Sequence, residues 1–261
     1  MSKQNIMKII TLTTDFKNLY PASMKAVILD MCEDPTFIDL THDIEQGDIL
    51  SAAFALYTTT HFFPSGTIHL AVVDPGVGTS RKAIIVRTAN HYFVGPDNGL
   101  LIPAAQRFGD IEVFEIEEKA MLGKVSNTFH GRDIFAPTAG LLASGHEAED
   151  IGQPLETFEE LSFGEVNAAV NNLYGKVLYI DSFGNVITNI PAKILEAFAR
   201  PTEKLLVHGN VASYSPTYGK VQKNELLVLT GSHGFLEIAV NGGNAAQRLD
   251  IAGHPEIRIE K

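Results

Sequence analysis

The fold of this chain is decided by a strand that runs into a glycine turn, Ala71-Val72-Val73-Asp74-Pro75-Gly76-Val77-Gly78-Thr79-Ser80-Arg81. The apolar run predicts a buried strand, and the two glycines allow the backbone to bend sharply and to approach a ligand closely. Asp74 ends the strand, and Arg81 follows as the next apolar run begins. Two interpretations stay open for this stretch alone: a tight turn closed by an Asp–Arg salt bridge, or the edge of an active site.

Strands and helices alternate on both sides of this stretch. The predicted strands cover 8–14, 37–41, 67–73 and a hairpin over 83–94, and the predicted helices cover 22–31, 48–62, 100–108 and 134–142. Asp48 is positioned to cap the second helix. This alternation predicts an α/β domain with a largely parallel sheet. Asp15, Asp43 and Asp74 come at or just after predicted strand ends, so we expect them at one ligand-binding edge of the sheet.

The pattern changes in the last third of the chain. Residues 147–165 are acidic and include Pro154, which predicts a surface linker. Short strand candidates follow, separated by Gly, Asn, Ser and Pro, with one helical segment over 192–200. This texture predicts a small β-barrel or sandwich. We therefore predict an N-terminal α/β domain over 1–165 and a smaller C-terminal all-β barrel domain over 172–261.

Composition excludes several classes of protein. The 261 residues carry 20 basic and 31 acidic side chains, a net charge of −11, and no basic stripe that could neutralise phosphates. Nucleic acid is therefore not an expected partner. The single cysteine, Cys32, fits a reducing compartment. No signal peptide or run of membrane-spanning length is evident, so we expect a soluble, cytoplasmic protein without a membrane partner.

A second candidate site is Asn127-Thr128-Phe129-His130-Gly131-Arg132-Asp133. His130 precedes a predicted helix, where a histidine is either an ordinary loop or cap residue or a group that faces a cleft. Together with Asp74 and Arg81 it could hold and polarise one water molecule. Metal binding is the competing use of such residues, but no H-x-x-x-H or C-x-x-C spacing occurs, and we predict no metal. Sequence signatures of dinucleotide sites, P-loops and serine nucleophiles are absent as well.

The C-terminal part supplies three polar loops. They are Asp181-Ser182-Phe183-Gly184-Asn185, Thr230-Gly231-Ser232-His233-Gly234 and Asn241-Gly242-Gly243-Asn244-Ala245-Ala246. Each is an ordinary turn sequence by itself. Together they offer carboxylate, hydroxyl, amide and aromatic groups, a mixture that suits a zwitterionic small molecule with a ring.

The whole set resembles the S-adenosyl-L-methionine hydroxide adenosyltransferases, relatives of the fluorinating and chlorinating enzymes that act on the same substrate. The resemblance extends from Thr13-Thr14-Asp15-Phe16 to Asn244-Ala245-Ala246. Its most specific matches are 73–81, Phe129-His130-Gly131-Arg132-Asp133 and the run over 180–190. The resemblance implies hydrolysis of S-adenosyl-L-methionine to adenosine and L-methionine, with no cofactor besides that substrate. It also implies a homotrimer, with the site between the N-terminal domain of one subunit and the C-terminal barrel of its neighbour.

The resemblance also implies a role for particular residues. The family's water-activating set falls on Asp74, Arg81 and His130. The implied substrate contacts are Asp15 at the ribose hydroxyls, Phe129 in the pocket wall, Asp181 at the methionine ammonium, Phe183 and Asn185 beside the adenine, Tyr218 stacked on the adenine, Ser232 at the methionine carboxylate, and Asn244, Ala245 and Ala246 near the adenine edge.

Two positions favour hydrolysis over halogenation. The halogenating relatives have tyrosine where this chain has Asp74, and the fluorinating ones have serine where it has Gly131. A carboxylate beside the nucleophile repels a halide and suits water. The chain departs from the family pattern at Lys17 and at His233, the second of which is arginine in the halogenating relatives. The alternatives are a halogenase and a protein that senses S-adenosyl-L-methionine or adenosine with negligible turnover.

Overall fold

The apolar runs of the N-terminal part form a central sheet with helices around it. The computed structural model describes residues 8–117 and 125–261, and the chain divides into one unit that ends at Leu161 and a second over Ser162–Lys261. The strands described in the first unit are β1 (Ile9–Thr14), β2 (Thr36–Thr41), β3 (Ile68–Val72), β4 (Ala83–Arg87), β5 (Tyr92–Pro96), β6 (Glu112–Ile116) and β7 (Gly152–Pro154). Its α-helices are α1 (Tyr20–Met31), α2 (Ile49–Thr59), α3 (Ile102–Ala105), α4 (Ala136–Ala143) and α5 (Ala148–Ile151).

The order of the strands explains where the acidic residues lie. The described strands form one sheet in the order β2-β1-β3-β5-β4-β6-β7, parallel from β2 to β5 and antiparallel from β5 to β7. Thr14 of β1 pairs with Val72 of β3, so the two strands end together. Asp15 and Asp74 therefore leave the sheet at the same edge. The predicted α/β class is confirmed, and the parallel pairing is confined to strands β2, β1, β3 and β5.

Helix boundaries follow local chemistry. Asp48 caps α2, because its Oδ1 accepts a hydrogen bond from the Ser51 N–H at 3.0 Å. The helix predicted over 100–108 is shorter than expected: it consists of α3 followed by a 3₁₀ turn over Gln106–Phe108. The helix predicted over 134–142 begins earlier, as a π-helical turn over Gly131–Phe135 that continues into α4.

The linker predicted over 147–165 is wrong in its first part, which forms α5 and β7. Ala148 and Ile151 are buried in the core of the first unit, so this acidic segment has an apolar face. Gly152 allows β7 to approach β6 closely, because a Cβ at this position would lie 2.4 Å from the Glu115 carbonyl oxygen. Strand β6 was also not predicted, since it has only five residues and two of them are glutamates, which is too short a pattern to indicate a strand.

The second unit is a closed barrel. Its described strands are β8 (Asn167–Ala168), β9 (Asn172–Ile180), β10 (Val186–Pro191), β11 (Lys204–Val207), β12 (Asn210–Tyr214), β13 (Leu226–Thr230), β14 (Phe235–Val240) and β15 (Glu256–Glu260), with helices α6 (Ala192–Phe198) and α7 (Ala245–Leu249). The order β10-β14-β13-β12-β11-β15-β9 closes through pairing of β9 with β10, and β8 adds to β9. The predicted C-terminal barrel is confirmed; β12, β15 and α7 were not predicted.

Candidate active site

A glycine turn carries Asp74 and Arg81 toward the loop that holds His130. Asp74 follows β3, and its carbonyl accepts a hydrogen bond from the Val77 N–H at 3.3 Å. Gly78 has a φ of 76°, and a Cβ at this position would lie 2.5 Å from the Asn127 carbonyl oxygen. Glycine is therefore required here both for the backbone conformation and for the close approach of the two loops. This contact brings the two candidate motifs together.

Asp74 and Arg81 form a bidentate ion pair. Arg81 donates from Nε to Asp74 Oδ1 at 3.0 Å and from Nη2 to Oδ2 at 2.5 Å. The side chains are only 5% and 8% exposed, respectively, so water screens the pair little. Arg81 also donates from Nη1 to the Lys82 carbonyl at 2.8 Å, and its guanidinium lies 5.2 Å from the centre of the Phe135 ring. These contacts hold the guanidinium, and through it the carboxylate, in one orientation.

His130 is the third member of this set. Its Nδ1 lies 3.0 Å from Arg81 Nη2. A guanidinium can only donate, so Nδ1 accepts and the proton of the neutral ring is carried on Nε2. The structure thus brings together the three residues predicted to activate water, with Arg81 in the middle.

Asp15 lies at the same edge of the sheet. Its Oδ2 accepts a hydrogen bond from the Gly47 N–H at 2.9 Å. Burial raises the pKa of the Asp15 carboxyl, and the nearby negative charge of Asp74 raises it further. Asp43, which was expected at this edge too, is exposed, and its N–H bonds to Thr41 Oγ1 at 3.1 Å.

An aromatic cluster borders these groups. The rings of Phe16, Tyr20 and Phe129 meet edge to face, with centroids between 5.1 and 6.0 Å apart. A Cβ on Gly131 would lie 3.0 Å from the Phe129 ring and 3.3 Å from the Phe16 ring. The sequence singled out Phe129 but not Tyr20, because the fold brings Phe129 next to Tyr20 from a distant part of the chain.

A cavity of about 560 Å³ lies beside this set in the first unit. Arg81 and His130 line it, together with Lys82 and Glu115, whose charged groups are 3.2 Å apart. The cavity gives the catalytic candidates a polar surface.

The second unit holds the predicted binding residues of the C-terminal part. Asp181 organises the turn between β9 and β10: Oδ1 accepts from the N–H groups of Phe183 and Asn185, and Oδ2 accepts from Asn185 Nδ2, each at 2.9 Å. Both carboxylate oxygens are therefore engaged within the turn. Contact of Asp181 with a ligand ammonium stays a prediction.

A cavity of about 610 Å³ opens next to this turn. Four predicted residues line it together with the segment over 240–243; they are Asp181, Phe183, Asn185 and Tyr218. Phe183 is 76% exposed and Tyr218 41% exposed, so two aromatic side chains present accessible surface there. Such a combination of aromatic surface and a few polar groups is typical of small-molecule sites.

The remaining predicted residues lie on neighbouring loops of the barrel. Asn244 caps α7 by accepting from the Gln247 N–H at 2.8 Å, and the Ala246 N–H donates to the Gly184 carbonyl at 2.9 Å. Asn244, Ala245 and Ala246 are thereby held against the Asp181–Asn185 turn. Ser232 lies exposed in the turn between β13 and β14.

Glu237, which contacts a residue of this cavity, was not predicted from the sequence. Glu237 lies on β14, is 5% exposed, and accepts a hydrogen bond from the Tyr218 hydroxyl at 2.5 Å. The available signal was a lone acid in the otherwise apolar run Phe235–Val240.

Two kinds of feature are absent from the described residues, 8–117 and 125–261. Within these ranges, no group of three or more His, Cys, Asp or Glu side chains could hold a metal ion. Nor does any helix described there combine the length and the apolar composition that crossing a membrane requires.

Comparison with known proteins matches nearly the whole chain. Residues 10–152 match the family model of the SAM hydroxide adenosyltransferase N-terminal domain, and residues 175–258 match that of the C-terminal domain. A Salinispora tropica protein named (R)-S-adenosyl-L-methionine hydrolase is 38% identical over 256 residues, which cover 96% of this chain and 97% of the relative. A fluorinase from Actinopolyspora mzabensis is 25% identical, with 92% of each chain covered. The crystal structure of an uncharacterized conserved protein from Thermotoga maritima superposes with a TM-score of 0.90 at 39% identity, covering 97% of this chain and all of the other.

Proposed function

The chain belongs to the SAM hydroxide adenosyltransferase family, and from this membership we propose that it hydrolyses S-adenosyl-L-methionine to adenosine and L-methionine. Relatives that carry the hydrolase name are 33–38% identical over nearly their full length, whereas the fluorinases are more distant. The observation that carries the mechanism is the hydrogen-bonded set of Asp74, Arg81 and His130 at the edge of the sheet.

The reaction is a displacement at C5′ of the ribose. A bond forms between the water oxygen and C5′ while the C5′–S bond breaks, and its electron pair returns to sulfur. The sulfonium becomes the neutral thioether of methionine, so the leaving group needs no acid. What remains for the enzyme is to hold one water molecule in line with the C–S bond and to favour its hydroxide character.

The Asp74 carboxylate is the group that takes up the water proton or holds the water by a hydrogen bond. Arg81 binds both oxygens of that carboxylate and so fixes the direction in which it acts. His130, with its proton on Nε2, is a hydrogen-bond donor suited to a water oxygen as negative charge develops on it. A carboxylate at position 74 also disfavours a halide nucleophile, since two like charges repel each other.

The substrate contacts belong to the same proposal. Asp15 binds the ribose hydroxyls, and the cavity bordered by Phe183, Asn185 and Tyr218 receives the adenine. The support for this assignment is the accessible aromatic surface at that cavity and the family resemblance of these positions. Asp181 and Ser232 are assigned to the amino-acid end on the resemblance alone.

The proposal is tested by incubating the purified protein with S-adenosyl-L-methionine and separating the products by chromatography. We expect adenosine and L-methionine in equal amounts, and incorporation of ¹⁸O from labelled water into the 5′-hydroxyl. A parallel reaction in chloride or fluoride tests for a 5′-halogenated nucleoside. Binding without any product would instead support a sensor, and a halogenated product would support a halogenase; either result overturns the proposal.

A homotrimer is part of the proposal as well, on the strength of the family resemblance. The chain has a mass of 28.4 kDa, so light scattering coupled to size-exclusion chromatography distinguishes three chains from one or two. A monomer with full hydrolytic activity would contradict the trimer while leaving the reaction intact.

A further inference from the structure

Glu237 is a buried carboxylate that the proposed mechanism leaves without a role. It lies on β14 and is 5% exposed. Burying a charged group is costly unless hydrogen bonds compensate the loss of water. In this structure Tyr218 and His233 provide the compensation: the Tyr218 hydroxyl donates to Oε1 at 2.5 Å, and His233 Nε2 lies 3.3 Å from Oε2.

The direction of both hydrogen bonds follows from their neighbours. The Phe235 N–H donates to His233 Nδ1 at 3.2 Å, so a neutral His233 ring carries its proton on Nε2 and donates it to Glu237. Burial raises the pKa of the Tyr218 hydroxyl, and the hydrogen bond to Glu237 raises it further, so this group stays protonated and donates as well. Each oxygen of Glu237 accordingly accepts one hydrogen bond.

The backbone beside this cluster leaves little room for rearrangement. A Cβ on Gly231 would lie 2.3 Å from His233 Nε2 and 2.8 Å from Glu237 Oε2. A side chain at this position would have to displace the histidine or the carboxylate from this arrangement. The pair therefore depends on a matched backbone as well as on its own side chains.

The cluster reaches the cavity through Tyr218. Its ring lines that cavity together with Asp181 and Phe183, while its hydroxyl is held by Glu237. A ring that is held before a ligand arrives loses less conformational freedom when the ligand binds, and affinity rises for that reason.

We propose that Glu237 is a positioning residue for the adenosine part of the substrate, because it holds the Tyr218 hydroxyl and so fixes the ring that borders the cavity. This inference rests on the proposed function, which supplies the nucleoside ligand. Positioning of the Tyr218 ring can be distinguished from direct attraction between the Glu237 charge and the substrate. A negative charge would favour the cationic S-adenosyl-L-methionine alone, whereas a positioned ring favours neutral adenosine as well.

The experiment compares Glu237→Leu, which leaves no acceptor for the Tyr218 hydroxyl, with Tyr218→Phe, the double variant and the wild type. The readouts are the Kd for adenosine by isothermal titration calorimetry, and kcat and KM for S-adenosyl-L-methionine. Tyr92→Phe and Glu147→Leu are matched controls, because the Tyr92 hydroxyl donates to Glu147 at 3.0 Å in the other unit. Circular dichroism checks that each variant is folded.

We expect each single variant at the cavity to raise the adenosine Kd and the KM about tenfold, the loss typical of one charge-assisted hydrogen bond. The double variant should be no weaker than the worse single one, since both remove the same contact. The kcat should stay within about twofold of the wild type, because the reacting atoms are untouched. The control variants should change neither constant.

Three results overturn the inference while leaving hydrolysis established. One is wild-type adenosine affinity in Glu237→Leu, another is weaker binding of S-adenosyl-L-methionine alone, and the third is a fall in kcat and melting temperature without a change in Kd. If the wild type neither hydrolyses S-adenosyl-L-methionine nor binds adenosine, the proposed function itself fails first. Wild-type measurements therefore separate the two failures.

Discussion

Arg81 donates a hydrogen bond from Nη2 to Nδ1 of His130 at 3.0 Å, and the same guanidinium donates to both carboxylate oxygens of Asp74 through Nε and Nη2. One cation thus sets the orientation of a carboxylate and the tautomer of an imidazole. His130 lies 49 positions after Arg81 in the sequence. The proposed mechanism depends on this arrangement.

Replacing Asp74 by asparagine should lower kcat by about 10²–10⁴, the range typical of a positioned general base. The amide keeps the size of the side chain but cannot take up a proton. KM should change little, because Asp74 acts on the water. Steady-state kinetics with S-adenosyl-L-methionine measures both constants, and Glu112→Gln, which loosens the exposed ion pair with Arg87, is the control. Wild-type kcat in Asp74→Asn would remove this residue from the mechanism.

Replacing Arg81 by lysine should lower kcat by about 10²-fold or more, although the charge is kept. An ammonium has no planar fork, so it cannot hold both Asp74 oxygens and His130 at once. The substitution Lys82→Arg, at the adjacent position, is the control. Kinetic constants of Arg81→Lys that equal those of the wild type would indicate that only the charge matters.

Replacing Gly131 by serine should reduce the free energy of unfolding by about 1–3 kcal/mol, as overpacking does. The new Cβ would meet the Phe129 ring at 3.0 Å, the Phe16 ring at 3.3 Å and Met24 Sδ at 3.4 Å. The rings must shift to accept it, so KM should rise too. Urea unfolding measures the stability; Gly219→Ala, where a Cβ meets no atom within 4 Å, is the stability control. An unchanged stability in Gly131→Ser would show that the cluster adapts without cost.

Stability should fall as the pH drops below about 6.5, partly because of the buried His69. Burial, and then the neighbouring His91, lower the pKa of His69 from 6.5 to about 3. Between these two pKa values the unfolded chain binds a proton that the folded state does not bind. The contribution of neutral His69 to stability is therefore complete above pH 6.5 and is lost progressively as the pH falls toward about 3. For His69 alone the loss at pH 5 is about 2 kcal/mol.

The measurement is urea unfolding of the wild type and of His69→Gln at pH 8 and at pH 5. The variant should be less stable at pH 8, since the hydrogen bond between the Thr11 hydroxyl and His69 Nδ1 at 2.9 Å is altered, but it should lose less on acidification. His146→Asn, at an exposed histidine, is the control. Equal losses in wild type and His69→Gln would contradict the assignment.

Much of the fold could be predicted from local patterns. The strand ending before Asp74, the cap at Asp48 and the short strands of the barrel follow from residue periodicity and turn chemistry, which act over a few neighbours. The missed elements have weak local signals. Strand β6 is short and half charged, and α5 gains its stability from burying Ala148 and Ile151 against residues far away in sequence.

The residues of the candidate site also differ in whether the sequence alone could predict them. Asp74, Arg81 and His130 could be selected because their motifs match a family whose members the chain resembles throughout. Glu237 and Tyr20 could not, since a lone acid in an apolar strand or a tyrosine at a helix start has no local signature of function. Their partners, Tyr218 and Phe129, come from other elements.

By itself the sequence determined the two-part fold, the family and the residue types offered for chemistry, since propensity, turn formation and motif spacing are local properties. Only the tertiary structure decided that Arg81 holds Asp74 and His130 together. It also decided that the carboxylate oxygens of Asp181 accept hydrogen bonds from its own turn, and that Glu237 holds the Tyr218 hydroxyl. Hydrogen bonds depend on distances of a few tenths of an ångström and on donor direction. Such distances between separated residues arise only when the strands pair in register and the cores pack.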